Sequence, residues 1–205
     1  MMPQRFQASS RRRSHLSFSK QLTAAVLAAA LTGAVPLAGA RAAGPAQTTH
    51  DGSHDFDFDV GVWKTHIIRH LHPLTGPDET VELSGTVTVR KLWGGRGQLE
   101  EIEADGPKGH WEGMTVFLYD PQARQWSMNF ANSSAGKLEP PMIGGFANGR
   151  GELIEQDTLD GRSILVRVVW ADITPRSHTY EEWFSSDGGH TWKLSFTAAK
   201  TKVGT

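Results

Sequence analysis

The chain contains no cysteine, so disulfides, thiolate metal sites and thiol catalysis are excluded outright. It also lacks a Gly-x-Ser-x-Gly elbow, a P-loop and a dinucleotide fingerprint, the motifs of common hydrolases, nucleotide-binding proteins and dehydrogenases. No stretch carries the apolar stripe of a long amphipathic helix. Its most apolar run, residues 22–40, is rich in Ala and interrupted by Gly33, Pro36 and Gly39. That run is weak for a membrane span of ~20 strongly apolar residues. Acidic residues are missing from the first forty-two positions. All early charge is therefore basic, and the remainder of the chain is moderately acidic, which argues against nucleic acid or an anionic membrane surface as a partner.

What is present begins with a three-part leader. Arg5, Arg11, Arg12, Arg13 and Lys20 precede the Ala-rich run, and Ala38-Gly39-Ala40 and Ala40-Arg41-Ala42 offer small-x-small cleavage sites. This order predicts a signal peptide over 1–42 and a periplasmic or secreted product with no stable membrane span after processing. The alternative is an uncleaved anchor. Ser10-Arg11-Arg12-Arg13-Ser14-His15-Leu16 resembles a twin-arginine signal, although His15 stands where Phe is usual, so the general secretory route stays open. Residues 43–54 then read as a flexible lead-in, and 55–205 as one domain large enough for its own core.

Within that domain short segments of period two are cut by Gly, Pro, Asp and Asn. Nine are visible: 62–71, 79–93, 98–104, 113–119, 125–131, 151–158, 162–172, 177–185 and 191–200. Val, Ile, Thr and aromatics are concentrated in them, as expected of pleated, half-buried strands. Tyr119-Asp120-Pro121, Asp160-Gly161 and Asp187-Gly188 supply turn chemistry between them. The segment Lys137-Leu138-Glu139-Pro140-Pro141-Met142 is expected to be a long loop, because proline cannot donate to a ladder. The expected fold class is all-β: an antiparallel sandwich or barrel.

Three stretches carry a resemblance. Phe56-Asp57-Phe58-Asp59-Val60-Gly61-Val62-Trp63 is similar to the opening of calycin-type barrels. Leu99-Glu100-Glu101, then Gly113, then Tyr119-Asp120-Pro121 resembles the middle of a bacterial group of small, lipocalin-like calycin proteins. Trp183 to Trp192 is similar to that group's last hairpin. The resemblance implies an up-and-down calycin-like barrel of about 8–10 strands, with Trp63 closing one end and a small ligand inside. A second likeness, Ser185-x-Asp187-x-Gly189-x-Thr191-Trp192 to the Asp-box of propellers, is read as turn chemistry. Propeller motifs repeat, and only one such box is present.

Candidate site residues follow from parity and context. Glu101 and Glu103 share a face with Leu99, and one of the adjacent Glu181 and Glu182 must face inward. A buried carboxylate must pair, accept hydrogen bonds or hold a proton, and a raised pKa suits acid–base work. Arg167, inside an apolar run, is expected either to point inward, where it could hold a carboxylate or an anionic ligand, or to make an outward structural contact. Asn129 and Asn132, at the end of the Trp126 strand, are candidates for orienting a ligand at the barrel mouth or for ordinary turn roles. Trp63 is a further candidate for ligand contact or for the core. His66, His70 and His72 share one parity, so they could bind a metal or be surface histidines. The cluster of His54, Asp55, Asp57 and Asp59 reads more simply as a solvated side of an anchor formed by Phe56 and Phe58.

Two functions are compatible with these residues. One is an exported protein that binds a small apolar or aromatic molecule, without metal or cofactor, as a monomer or homodimer. The other is a small cofactor-free lyase, isomerase or cyclase, using Glu101 or Glu182 with His66 as its acid–base pair.

Overall fold

The computed structural model describes residues 51–77 and 79–204. The predicted signal peptide and most of the predicted lead-in lie outside the described residues. Ten antiparallel strands form a closed barrel: β1 (Gly61–His70), β2 (Thr80–Leu92), β3 (Gly97–Gly106), β4 (Gly109–Asp120), β5 (Gln125–Asn132), β6 (Met142–Ala147), β7 (Arg150–Leu159), β8 (Arg162–Ala171), β9 (Ser177–Ser185) and β10 (Lys193–Lys202). Every strand pairs with its neighbours in the chain, and β1 closes the ring against β10. The expected up-and-down barrel is therefore the fold, and closure removes every free sheet edge.

Nine of the ten strands match the alternating segments. The exception is β6, which shares only Met142 with the expected loop and is not among the alternating segments. Its two central glycines hid it, and one of them is required. A Cβ on Gly144 would stand 2.0 Å from the Glu152 carbonyl oxygen on β7. The turn that follows, Asn148-Gly149, has both residues at positive φ (53° and 74°), as a tight hairpin between twisted strands requires. The connection before it runs over 133–141 and includes all of the predicted 137–142 loop except Met142.

Alternation decides which side chains enter the barrel. At the end where β1 begins, a 3-10 turn (Asp57–Asp59) drives Phe56 into the floor. Phe56 is fully buried, with ring centroids 4.7–5.0 Å from those of Phe117, Phe146, Trp126 and Trp170. The anchor reading of Phe56 and Phe58 matches this packing. The last residues of the predicted lead-in are seated as well: Gly52 is buried, and its carbonyl accepts a hydrogen bond from Trp126 Nε1 at 2.9 Å. Trp63 is fully buried beside this floor. Its Nε1 donates to the Asp59 carbonyl at 2.6 Å, and Lys202 Nζ lies 4.9 Å from its ring. Trp63 thus closes one end of the barrel, as the calycin resemblance implied. The Asp187 hairpin is also turn chemistry: Asp187 accepts from Ser185, from the Thr191 amide and from the Thr191 hydroxyl, while Trp192 Nε1 donates to Gly189.

Candidate functional site

Above the aromatic floor the barrel encloses a cavity of about 580 Å³, within the range of small-molecule sites. It opens at the end where the 71–79, 133–141 and 160–161 connections lie. Its apolar wall comes from every part of the sheet: Trp111 and Phe117 on β4, Phe130 on β5, Trp170 on β8, Tyr180 on β9 and Phe196 on β10. The covering on one side depends on the shortness of β6, which pairs with β5 over only three positions. Beyond them the loop runs alongside β5 instead. The Glu139 amide donates to the Phe130 carbonyl at 2.7 Å, and Asn129 Nδ2 donates to the Glu139 carbonyl at 3.0 Å. Those bonds bring Glu139 and Pro140 into the cavity wall.

Acidic groups outnumber basic ones in the lining, where Arg69 stands with His70 and His72 at the open end. Glu100 (β3), Glu155 and Asp157 (β7) and Glu182 (β9) point inward, and Glu139 and Asp160 stand nearer the mouth. Arg69 is the one lysine or arginine among the described residues of the wall. Burial pushes Glu155 up to about 7, helped by the charges of Asp157, Glu139 and Glu182. Burial also raises Glu182, against the hydrogen bond that its Oε1 accepts from Ser195 Oγ at 2.6 Å. Glu139 is raised for the same first reason. The Tyr180 phenol is pushed well above its ordinary value, first by burial and then by Glu182, so it stays a hydrogen-bond donor.

Between cavity and floor lies a buried ionic group. Lys200 Nζ is 2.5 Å from Glu100 Oε2 and 3.4 Å from Asp59 Oδ1, and His178 Nε2 is 3.1 Å from the same Asp59 oxygen. Burial acts to raise Asp59, but the Lys200 ammonium and His178 outweigh it and hold the carboxyl below its usual value. Burial likewise acts against the charged form of Lys200, and Asp59 and Glu100 more than reverse that. Glu100 thereby has its counter-ion from below, whereas Glu155 and Glu182 have none in contact among the described residues.

The structure divides the predicted site residues between the two faces of the wall. Glu182 and Asn132 line the cavity, with Asn132 Oδ1 also accepting from Ser134 and from the Ala135 amide. Glu101 does not: it is exposed on the outer face, because Gln98, Glu100, Ile102 and Ala104 are the inward set of β3. Leu99, the cue for an inward Glu101, is a half-buried outer residue. His66 is also on the outer face, 3.0 Å from Glu82, so a Glu101–His66 pair cannot act inside the barrel. Arg167 points outward and lies over the Trp192 ring at 4.2 Å and the Trp183 ring at 5.9 Å. That is the outward structural contact, not an anion site. Asn129 ties down the loop rather than facing a ligand, and Trp63 is part of the plug below the cavity. Among the described residues no three His, Asp or Glu converge as a metal-ligating group.

Sequence reasoning missed the inward Glu100, Glu155, Asp157, Tyr180, His178 and Lys200, and it read Asp59 as solvated, whereas Asp59 is fully buried. Parity could have found the first: Glu100 shares its face with Ile102 and Ala104, which pair near the inward Val87 and Gly85. For Glu155 the matching signal was its alternation with Leu153 and Gly151.

Cavity, aromatic walls and ten-strand closure define an all-β, up-and-down antiparallel barrel with room for a small molecule inside. No family model matches the chain, and no curated protein matches it in sequence. Among solved structures it is similar to the S-type phycobiliprotein lyase CPES from Guillardia theta, with 11% identity over 73% of this chain and 91% of that one and a TM-score of 0.51. It is also similar to EF1p2_mFAP2b bound to DFHBI, with 9% identity over 74% of this chain and 99% of that one and a TM-score of 0.41. At these identities the likeness to the lyase concerns the fold alone.

Proposed function

We propose that this chain is an exported binding protein that holds a small, largely apolar or aromatic molecule inside its barrel. The observation that carries the reading is the cavity of about 580 Å³, walled by Trp111, Phe117, Phe130, Trp170, Tyr180 and Phe196 above a sealed floor. A structural barrel would fill that space with side chains, as this one does around Phe56. Here the interior is filled only to the level of Phe117 and Trp170. Polar groups at fixed positions, Asn132, Tyr180 and Glu182, supply the orientation that such pockets need. Export rests on the leader alone: a basic start, an Ala-rich run and small-x-small sites before residue 43.

The test is intrinsic fluorescence, because Trp111 and Trp170 border the cavity. Aromatic and lipid-like compounds should shift or quench the emission in a saturable way, and a panel with no effect would sink the reading. Export is tested separately, by the mass of the mature chain after expression with its leader.

A second reading is favoured by Glu155 alone, whose pKa of about 7 suits a general acid or base near neutrality. In that case the chain is a cofactor-free lyase, isomerase or cyclase, with Glu155 joining the expected Glu182 in place of Glu101 and His66. Chemical change of a bound compound, lost in Glu155→Gln with binding retained, would distinguish it from a carrier.

A further inference from the structure

The cavity has more negative charge than its own residues neutralise. Of the inward carboxylates, Glu100 is matched by Lys200 from below, and the exposed Arg69 acts on Glu182 from the rim. Glu155 Oε2 is closed off from solvent and has no hydrogen-bond partner among the described residues. Glu182 spends one oxygen on Ser195. The nearby charges of Glu139 and Asp157 add to the field at both. An unpaired carboxylate in an apolar enclosure is costly, and the cost is removed by a proton or by a bound cation. The surroundings fit an organic cation better than a metal. No metal-ligating group of three converges among the described residues, and the aromatic side chains of Trp111, Phe130 and Tyr180 line the same cavity. Aromatic faces attract ammonium groups as well as apolar surface.

Resting on the reading of the cavity as a small-molecule site, we propose that its occupant is cationic: an aromatic or apolar molecule bearing a protonated amine that lies against Glu155 and Glu182. The amine supplies the missing counter-charge, and the rest of the molecule covers the aromatic wall. Tyr180, two residues before Glu182 on β9 and in the same lining, offers its phenol as a donor to an acceptor on the same ligand. An anion of the same size meets Glu139, Glu155, Asp157 and Glu182, with Arg69, His70 and His72 at the open end to receive it.

The experiment compares three probes of one shape on the full chain by isothermal titration calorimetry near pH 7.5: 2-naphthylmethylamine, 2-naphthylmethanol and 2-naphthoate. The amine is expected to bind at least tenfold more tightly than the alcohol, with the carboxylate weakest. Glu155→Gln and Glu182→Gln are each expected to remove most of the amine's advantage over the alcohol. Thermal melts confirm that both variants fold, and the ranking of the three probes on the unmodified chain needs neither. Equal or tighter binding of the alcohol or the carboxylate overturns the charge assignment while the cavity reading stands. If none of the three binds, both fall together.

Discussion

Lys200 and Glu100 meet at 2.5 Å across the barrel interior, β10 to β3, and their ion pair forms the boundary between the filled floor and the cavity. Lys200 is also the counter-ion of the fully buried Asp59. Buried ion pairs add little net stability over an apolar substitute, but removing one partner leaves an uncompensated charge. Lys200→Met should therefore cost about 3–5 kcal/mol in urea unfolding at neutral pH. Adding Asp59→Asn to that variant should recover part of the loss, because it removes one of the two stranded carboxylates. The pH profile has a definite sign as well. Asp59 is held below its ordinary value, so its contribution is present above the usual carboxylate range and disappears as pH falls toward its native pKa. Lys200 is raised, so its contribution is complete below its ordinary value and is lost on going strongly alkaline.

Glu155 behaves in the opposite sense from Asp59. Its pKa is raised to about 7 by burial and by neighbouring carboxylates. A carboxyl with a raised native pKa stabilises the fold below its unfolded pKa, and that contribution is lost as pH rises through the native value. Glu155→Gln removes the titration. The variant should match the original chain in melting temperature near pH 4 and exceed it near pH 8. Equal melting temperatures across that range would show that Glu155 is not confined as described.

Much of the fold was legible because alternation and turn chemistry agree along most of the chain. Asp160-Gly161 joins β7 to β8, and the turn chemistry at Asp187-Gly188 falls between β9 and β10. Where the two signals separated, the reading failed. Ile143-Gly144-Gly145-Phe146 has too few side chains to alternate, although Asn148-Gly149 after it is a hairpin signal that points back to a strand. The site was less legible for a geometric reason. Parity says which residues share a face, but not which face is inside, and a one-residue choice exchanges Glu101 for Glu100. Barrel closure also joins residues far apart in sequence. Asp59 and Lys200 meet only because β1 pairs with β10, and no local pattern announces it.

The Asp187 hairpin lies at the open end, and it should affect stability without touching the cavity. Its carboxylate accepts from Ser185 and Thr191, and these bonds, the Thr191 hydroxyl first, hold it well below the ordinary carboxylate range. Asp187→Ala should lower the melting temperature at neutral pH, and the gap should narrow as acid protonates Asp187 in the original chain. Titration of any compound that quenches Trp111 and Trp170 should give an unchanged midpoint in this variant. A shifted midpoint would mean that the hairpin reaches the ligand.

The two faces of the wall give the sharpest contrast among the glutamates. Glu101 and Glu182 were both plausible from sequence, yet one is exposed outside and the other borders the cavity beside Tyr180. Surface substitutions away from caps and networks change stability by about 0.5 kcal/mol or less, so Glu101→Gln and His66→Ala should leave both melting and ligand titration nearly unchanged. Glu182→Gln keeps the acceptor that Ser195 Oγ donates to at 2.6 Å and removes only the charge. The fold should therefore persist while any charge-dependent binding is lost. If Glu101→Gln were the variant that abolished binding, the ligand would sit on the outer face, and the cavity would have to be abandoned as the site.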